Sequence, residues 1–224
     1  SLSCIYTDSV NITEPNALNI LFNSSNLSCW NACDGYIISD VSGGTPNYTY
    51  NWNNGSSGDS IINLCSNNYI LTVIDQNNCI ISDSVHISQP SEINIQIDSI
   101  LHVSTYNGND GAIFITATNG VGLYSYIWNG PQSFNSSNQN IQNLITGWYE
   151  IQVIDSTNCV KYDSIFVDEP PSLVISLDSS SNANCFGSCD GHISITASGG
   201  DSTYSYQWTG PNGFISNNED INNL

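Results

Sequence analysis

The chain repeats itself, and that repetition limits what it can fold into more than any other feature. Asp34-Gly35 returns as Asp110-Gly111 and Asp190-Gly191. A glycine turn and an aromatic run follow each pair: Gly43, Gly44, Tyr48, Tyr50 and Trp52, then Asn119, Gly120, Tyr124, Tyr126 and Trp128, then Gly199, Gly200, Tyr204, Tyr206 and Trp208. Ile61, Asn63 and Leu64 come back as Ile141, Asn143 and Leu144 and as Ile221, Asn223 and Leu224. Tyr69, Val73, Asp75 and Cys79 come back as Tyr149, Val153, Asp155 and Cys159, and the copies close on Glu14-Pro15, Gln89-Pro90 and Glu169-Pro170. Asp110 follows Asp34 by 76 residues and Asp190 follows Asp110 by 80, because the later copies carry a longer segment after the tryptophan. Self-similarity at a fixed period is the signature of an array of small units. It divides the chain into the end of a preceding copy (1–15), two complete copies (16–90 and 91–170) and the first two-thirds of another (171–224).

Within a copy the apolar residues alternate. Leu18, Ile20 and Phe22 correspond to Ile93, Ile95 and Ile97 and to Leu173, Ile175 and Leu177. Tyr149, Ile151 and Val153 face one way, with Glu150 and Gln152 opposite. Period two with one apolar face marks a half-buried strand. Seven or so short strands separated by Gly, Asn and Pro turns predict an all-β fold, with tandem immunoglobulin-like (PKD-like) sandwiches arranged end to end. Units this small bury limited surface and rely on staples or neighbours.

Charge excludes several functions. Lys161 is the one basic residue against twenty acidic ones, a net charge of −19. Neutralising phosphates takes a face of Lys and Arg, so nucleic acid and adhesion to anionic membrane through a basic patch are both excluded. Charged residues make up 9% of the chain, leaving a surface of Asn, Ser, Thr and Gln with almost no site for trypsin-like proteases. Eight cysteines on such a surface point to an oxidising, extracellular compartment. No apolar run approaches a membrane span and no signal peptide is present. The opening residues look like the tail of an earlier copy, so the chain is expected to be an excerpt of something longer.

The pattern Cys-x-x-x-Cys-Asp-Gly from Cys29 to Gly35, the run from Gly43 to Trp52, the segment Asn68 to Cys79 and the closing Gln89-Pro90 together resemble the SprB repeat. The third copy, from Cys185 to Gly200 with Tyr204 to Phe214, resembles it more closely still. That family is found in very large surface proteins of Bacteroidetes, including the gliding-motility adhesin. The resemblance implies export through the type IX system, display on the outer surface, and a role in adhesion or surface filaments. The second copy departs from the pattern, with Thr105 and Asn109 where Cys29 and Cys33 stand in the first.

In a sandwich the strands that begin near Asp34 and Tyr69 start at the same end. That places Cys33 within bonding reach of Cys65, and the second copy has lost both together, to Asn109 and Ile145. Cys79 and Cys159 fall in the turn between the last two strands, at the opposite end, and a strand of about seven residues spans roughly 20 Å. If copies stack end to end, Cys29 meets Cys159 across a junction; the competing pairing is Cys29–Cys79 within one copy. On the first reading Cys4 and Cys79 have partners upstream, and Cys185 and Cys189 at least one downstream. Zinc is disfavoured, because no histidine sits beside the paired cysteines.

Asp34, Asp75, Asp110, Asp155 and Asp190 recur at fixed positions and Glu14 and Glu169 lie at junctions, a pattern that calcium between domains would use. The competing reading is that each Asp opens a turn by accepting from its own backbone. His86, His102 and His192 do not match one another in the repeat, and no nucleophile motif accompanies them, so no enzyme is expected and no cofactor. Tyr48, Tyr50, Trp52 and their copies are either a sugar platform or core packing. Ser9, Ser60, Ser84, Ser99 and Ser164 each follow Asp and precede Val or Ile, which resembles the Bacteroidetes O-glycosylation signal.

The expected function is a structural or adhesive stalk segment, a protease-resistant rod at the cell surface. Its partners would be neighbouring repeats, with surface polysaccharide or other surface proteins, and no membrane insertion. A carbohydrate-binding module and an accessory region of a secreted enzyme are the alternatives.

Overall fold

A computed structural model of the chain describes Ser3 and residues 5–224. In the first copy β1 (Asn19–Ser25), β2 (Gly35–Ser42) and β4 (Ser60–Leu64) form one antiparallel sheet in the order β1-β2-β4. The strands β3 (Thr49–Trp52), β5 (Asn67–Ile74) and β6 (Ile80–Ile87) form the second, in the order β3-β5-β6. The second copy repeats this with β7 (Asn94–Leu101), β8 (Gly111–Thr118) and β11 (Ile141–Leu144) against β9 (Ser125–Gly130), β10 (Phe134–Ser136), β12 (Gly147–Ile154) and β13 (Val160–Val167). In the third copy β14 (Val174–Ser181), β15 (His192–Ser198) and β18 (Ile221–Asn222) form one sheet, and β16 (Trp208–Thr209) pairs with β17 (Ile215–Ser216). Every sheet draws its strands from one copy.

The alternation read from sequence produces the cores. In the first copy Ile20 and Ile37 of one sheet and Trp52, Leu71 and Val73 of the other belong to a single buried cluster, so the two sheets pack face to face. In the second copy Ile113, Ile115, Trp128, Leu144, Tyr149, Ile151 and Val153 are all buried. Truncating a buried aromatic of this kind costs about 3–5 kcal/mol. The recurrent tryptophan is the anchor: Trp52, Trp128 and Trp208 donate their indole N–H to the carbonyls of Gly58, Asn138 and Asn218 at 3.0, 3.0 and 2.9 Å. Tyr69 and Tyr149 donate to the carbonyls four residues back, Cys65 and Ile145, the tyrosine corner of immunoglobulin-like sandwiches.

The repeated glycine and asparagine positions have steric reasons. A Cβ on Gly111 would lie 2.9 Å from both the Leu144 carbonyl oxygen and a Val167 methyl, and Gly35 is hemmed in the same way by Leu64 and Ile87. Asn63, Asn143 and Asn223 hold φ of 56°, 58° and 61°, the left-handed region that asparagine tolerates better than most residues. At Asn143 the β8–β11 register shifts by one residue, a bulge. The extra segment of the later copies is a 3-10 turn, Pro131–Ser133 or Pro211–Gly213, leading into β10 or β17. The first copy has only a tight turn there, with Gly55 donating to the Trp52 carbonyl.

Two departures stand out. Leu173, Ile175 and Leu177, read as core-facing, are 61–63% exposed, because the third copy's second sheet consists of β16 and β17 alone, with no counterpart of β12 to pack on. Residues 5–15 form no strand. The packing divides into two compact units, one comprising the chain up to Glu92 with Asn119–Gly122 and Ser156–Cys159, the other comprising Ile93–Thr118, Leu123–Asp155 and Val160–Leu224.

Candidate functional site

Two turn types recur, and the cysteines sit on them. The first joins β1 to β2 and its equivalents. Ala32 donates to the Cys29 carbonyl at 3.2 Å, Gly108 to Thr105 at 2.9 Å and Ser188 to Cys185 at 3.0 Å. The third residue of each is left-handed: Asn31, Asn107 and Gly187, at φ of 59°, 56° and 78°. Asp34, Asp110 and Asp190 close the loop by accepting the backbone N–H of Ser28, Ser104 and Asn184 at 3.0, 2.9 and 2.9 Å. These bonds hold all three carboxyls below the usual carboxylate range, led by the Ser28 side chain at Asp34, the Ser104 side chain at Asp110 and the Asn184 backbone at Asp190. The closing acid or amide of each copy returns to the same turn: Gln89 accepts from Asn31 at 3.1 Å and Glu169 from Asn107 at 2.7 Å.

The second turn joins β5 to β6 and β12 to β13. Asp75 is 4% exposed and accepts the backbone N–H groups of Thr45, Asn77 and Cys79 at 2.9, 2.9 and 2.8 Å. Its carboxyl is held low first by the Thr45 bond. Asn78 and Asn158 are left-handed at the matching positions, φ 63° and 65°.

The structure brings Cys29 and Cys159 together as a disulfide, Cα–Cα 5.5 Å, across a sequence separation of 130. It joins the β1–β2 turn to the β12–β13 turn, and Ser156–Cys159 packs as part of the first compact unit. Cys33 and Cys65 form a second disulfide with a separation of 32. Cys79, Cys185 and Cys189 are free and exposed. The competing Cys29–Cys79 pair is not formed, and Cys4 lies outside the described residues.

The remaining candidate residues stay apart. Among the described residues no group of three or more His, Cys, Asp or Glu side chains gathers as a metal site, and the five aspartates lie in two different turn types. His102 accepts from the Asp168 backbone and His192 bonds Ser179 and Ser181, at separate places. Ser9, Ser60, Ser84, Ser99 and Ser164 are all exposed, and Asp8, Asp83 and Asp163 each accept the N–H of the serine that follows. The stripe weighed as a sugar platform is core: Trp52 and Trp128 are buried, and Tyr48 and Tyr50 pack against that core.

A different aromatic surface is present. On the outer face of the second copy Trp148 pairs with Phe166, their ring centroids 5.2 Å apart, and they are 61% and 40% exposed. Beside them a shallow groove is lined by Asn129, Glu150, Gln152, Tyr162 and Ser164. The repeat gave no signal for it, since the first copy has Asn68 and His86 at the pair's positions.

Two facing sheets, a tryptophan anchor, a tyrosine corner and strand orders β3-β5-β6 and β1-β2-β4 define tandem immunoglobulin-like sandwich modules. Two segments of the chain, residues 21–57 and 177–213, match the model of the SprB repeat. No curated protein matches the chain in sequence. Among solved structures it is similar to DIP-gamma IG1+IG2, at 10% identity over 69% of this chain and 98% of that one, TM-score 0.35. It is also similar to Sidekick-1 immunoglobulin domains 1–5, at 12% identity over 92% of this chain and 50% of that one, TM-score 0.36. SprB repeats belong to cell-surface adhesins, and the chain fits a repeat region of that type, with disulfides suited to an extracellular setting. No helix among the described residues is long and apolar enough to cross a membrane.

Proposed function

We propose that this chain is a structural or adhesive stalk segment of a very large secreted surface protein, of the surface-filament or gliding-adhesin type. Its copies, 16–90, 91–170 and the partial 171–224, serve as successive links, and type IX export from a Bacteroidetes cell would deliver them. The observation that carries this reading is the Cys29–Cys159 disulfide, which connects turns of two successive copies. Two further features support it. Gln89 and Glu169, beside the prolines that end each copy, hydrogen-bond to the β1–β2-type turn, which restrains the linkers. One lysine and no arginine leave trypsin-like proteases a single target. Small-angle scattering tests the stalk: a compact globule of this length has a radius of gyration of about 17 Å, and a value near that figure would refute an extended array.

A second reading, a carbohydrate-binding surface, is favoured by the Trp148–Phe166 face. Paired, exposed aromatics flanked by amide, carboxylate and hydroxyl groups suit the faces and rims of sugar rings. Glycan-array binding that Trp148→Ala abolishes would support it. Equal signals from the two proteins, or none from either, would remove it. Ser9, Ser60, Ser84, Ser99 and Ser164 are proposed O-glycan acceptors, and native protein with an unmodified intact mass would dismiss them.

A further inference from the structure

Cys79 and Cys185 stand at the two positions that the Cys29–Cys159 bond joins. Cys185 opens the third copy's turn as Cys29 opens the first. Ser188 donates to its carbonyl as Ala32 does to that of Cys29, and Asp190 closes the turn as Asp34 does. Cys79 occupies the β5–β6 turn as Cys159 occupies the β12–β13 turn, each following a left-handed asparagine. Both thiols are free and exposed. Beside the bonded Cys29, Trp30 is 48% exposed, whereas beside the free Cys185, Phe186 is exposed completely.

We propose that Cys79 and Cys185 are complementary half-sites for the same bridge, each accepting the opposite turn of another SprB-type repeat. In the isolated chain that partner is a second copy. The inference rests on the Cys29–Cys159 bond, as the stalk reading does, but it can fail while that bond stands. Because the two half-sites differ, the contact is head to tail and does not close on itself. The chemistry is thiol–disulfide exchange with a low-molecular-weight disulfide such as glutathione disulfide. The Cys185 thiolate attacks it, forming a mixed disulfide and releasing one glutathione thiolate. The Cys79 thiolate of the second copy then attacks the Cys185 sulfur and releases the other. Two protein thiols are oxidised, one glutathione disulfide is reduced to two thiols, and the protons lost by the cysteines end on the released glutathione.

The test uses the full chain at tens of micromolar in a glutathione redox buffer, followed by non-reducing electrophoresis and peptide mapping. Wild type should give a ladder of oligomers that collapses with reductant. Cys79→Ser alone and Cys185→Ser alone should each stay monomeric. A mixture of the two, one of them isotopically labelled, should give a dimer and nothing larger, containing one labelled chain and a Cys79–Cys185 peptide. Dimers formed by either variant alone, or a wild type that stays monomeric through a Cys185–Cys189 bridge, would overturn the proposal. A map that retains Cys29–Cys159 but lacks Cys79–Cys185 would sink this inference and leave the stalk reading intact. Loss of Cys29–Cys159 itself would remove both.

Discussion

A disulfide across 130 residues sets how far the chain can be drawn out. Pulled from its two ends, the chain carries tension through the Cys29–Cys159 bond and bypasses everything between those residues. Extended chain spans at most about 3.5 Å per residue, so the bond hides roughly 450 Å of contour that unfolding alone cannot release. Cys29→Ser opens that loop but leaves the span from Cys33 to Cys65, a sequence separation of 32, locked. The variant should therefore gain the contour of 130 less 32 residues, roughly 340 Å, and reductant should add the rest. Single-molecule force spectroscopy with handles on the chain ends measures these lengths directly. Equal total contour for oxidised wild type and Cys29→Ser would refute the reasoning.

Three further outcomes follow from the packing and the turns. Gly111→Ala places a Cβ against the Leu144 carbonyl and Val167 and should cost about 1–3 kcal/mol in urea unfolding, while Asn143→Ala, strained at φ 58°, should cost about 1 kcal/mol; no loss in either would contradict the steric argument. Asp34, Asp75, Asp110 and Asp190 all have folded pKa values depressed below 3.8. Their stabilisation is complete above that unfolded value and is lost as pH falls through the folded ones, so Asp110→Asn should show a shallower acid limb than wild type in the same buffers between about pH 5 and 2. Melting in calcium and in chelator should coincide, since these carboxylates are engaged by backbone N–H groups; a rise of several degrees with calcium would favour the metal reading.

What could be read from sequence was what the copies share. Alternation placed Ile20, Tyr149, Ile151 and Val153 in strand interiors, and side-chain period two leaves little freedom about which face is buried. The recurring Asp-Gly and Ile-x-Asn-Leu positions were visible as repeats, but their reasons, a crowded Gly111 and a left-handed Asn143, lie in neighbouring strands. The burial of Leu173, Ile175 and Leu177 could not be judged from their own alternation, because it depends on a facing sheet. The Trp148–Phe166 face was missed because it occurs in one copy only, and Trp30 and Phe186 because alignment drew attention to the cysteines beside them. The choice between Cys79 and Cys159 as partner of Cys29 turned on how copies meet, which no periodicity within a copy encodes.

The partner of Cys29 decides whether successive copies are bonded to one another. Chymotryptic peptides of the oxidised chain, separated without reductant and sequenced by mass spectrometry, answer that in one experiment. A cross-linked peptide containing Cys29 and Cys159, alongside one containing Cys33 and Cys65, is the predicted result; a Cys29–Cys79 or Cys29–Cys33 peptide would contradict it.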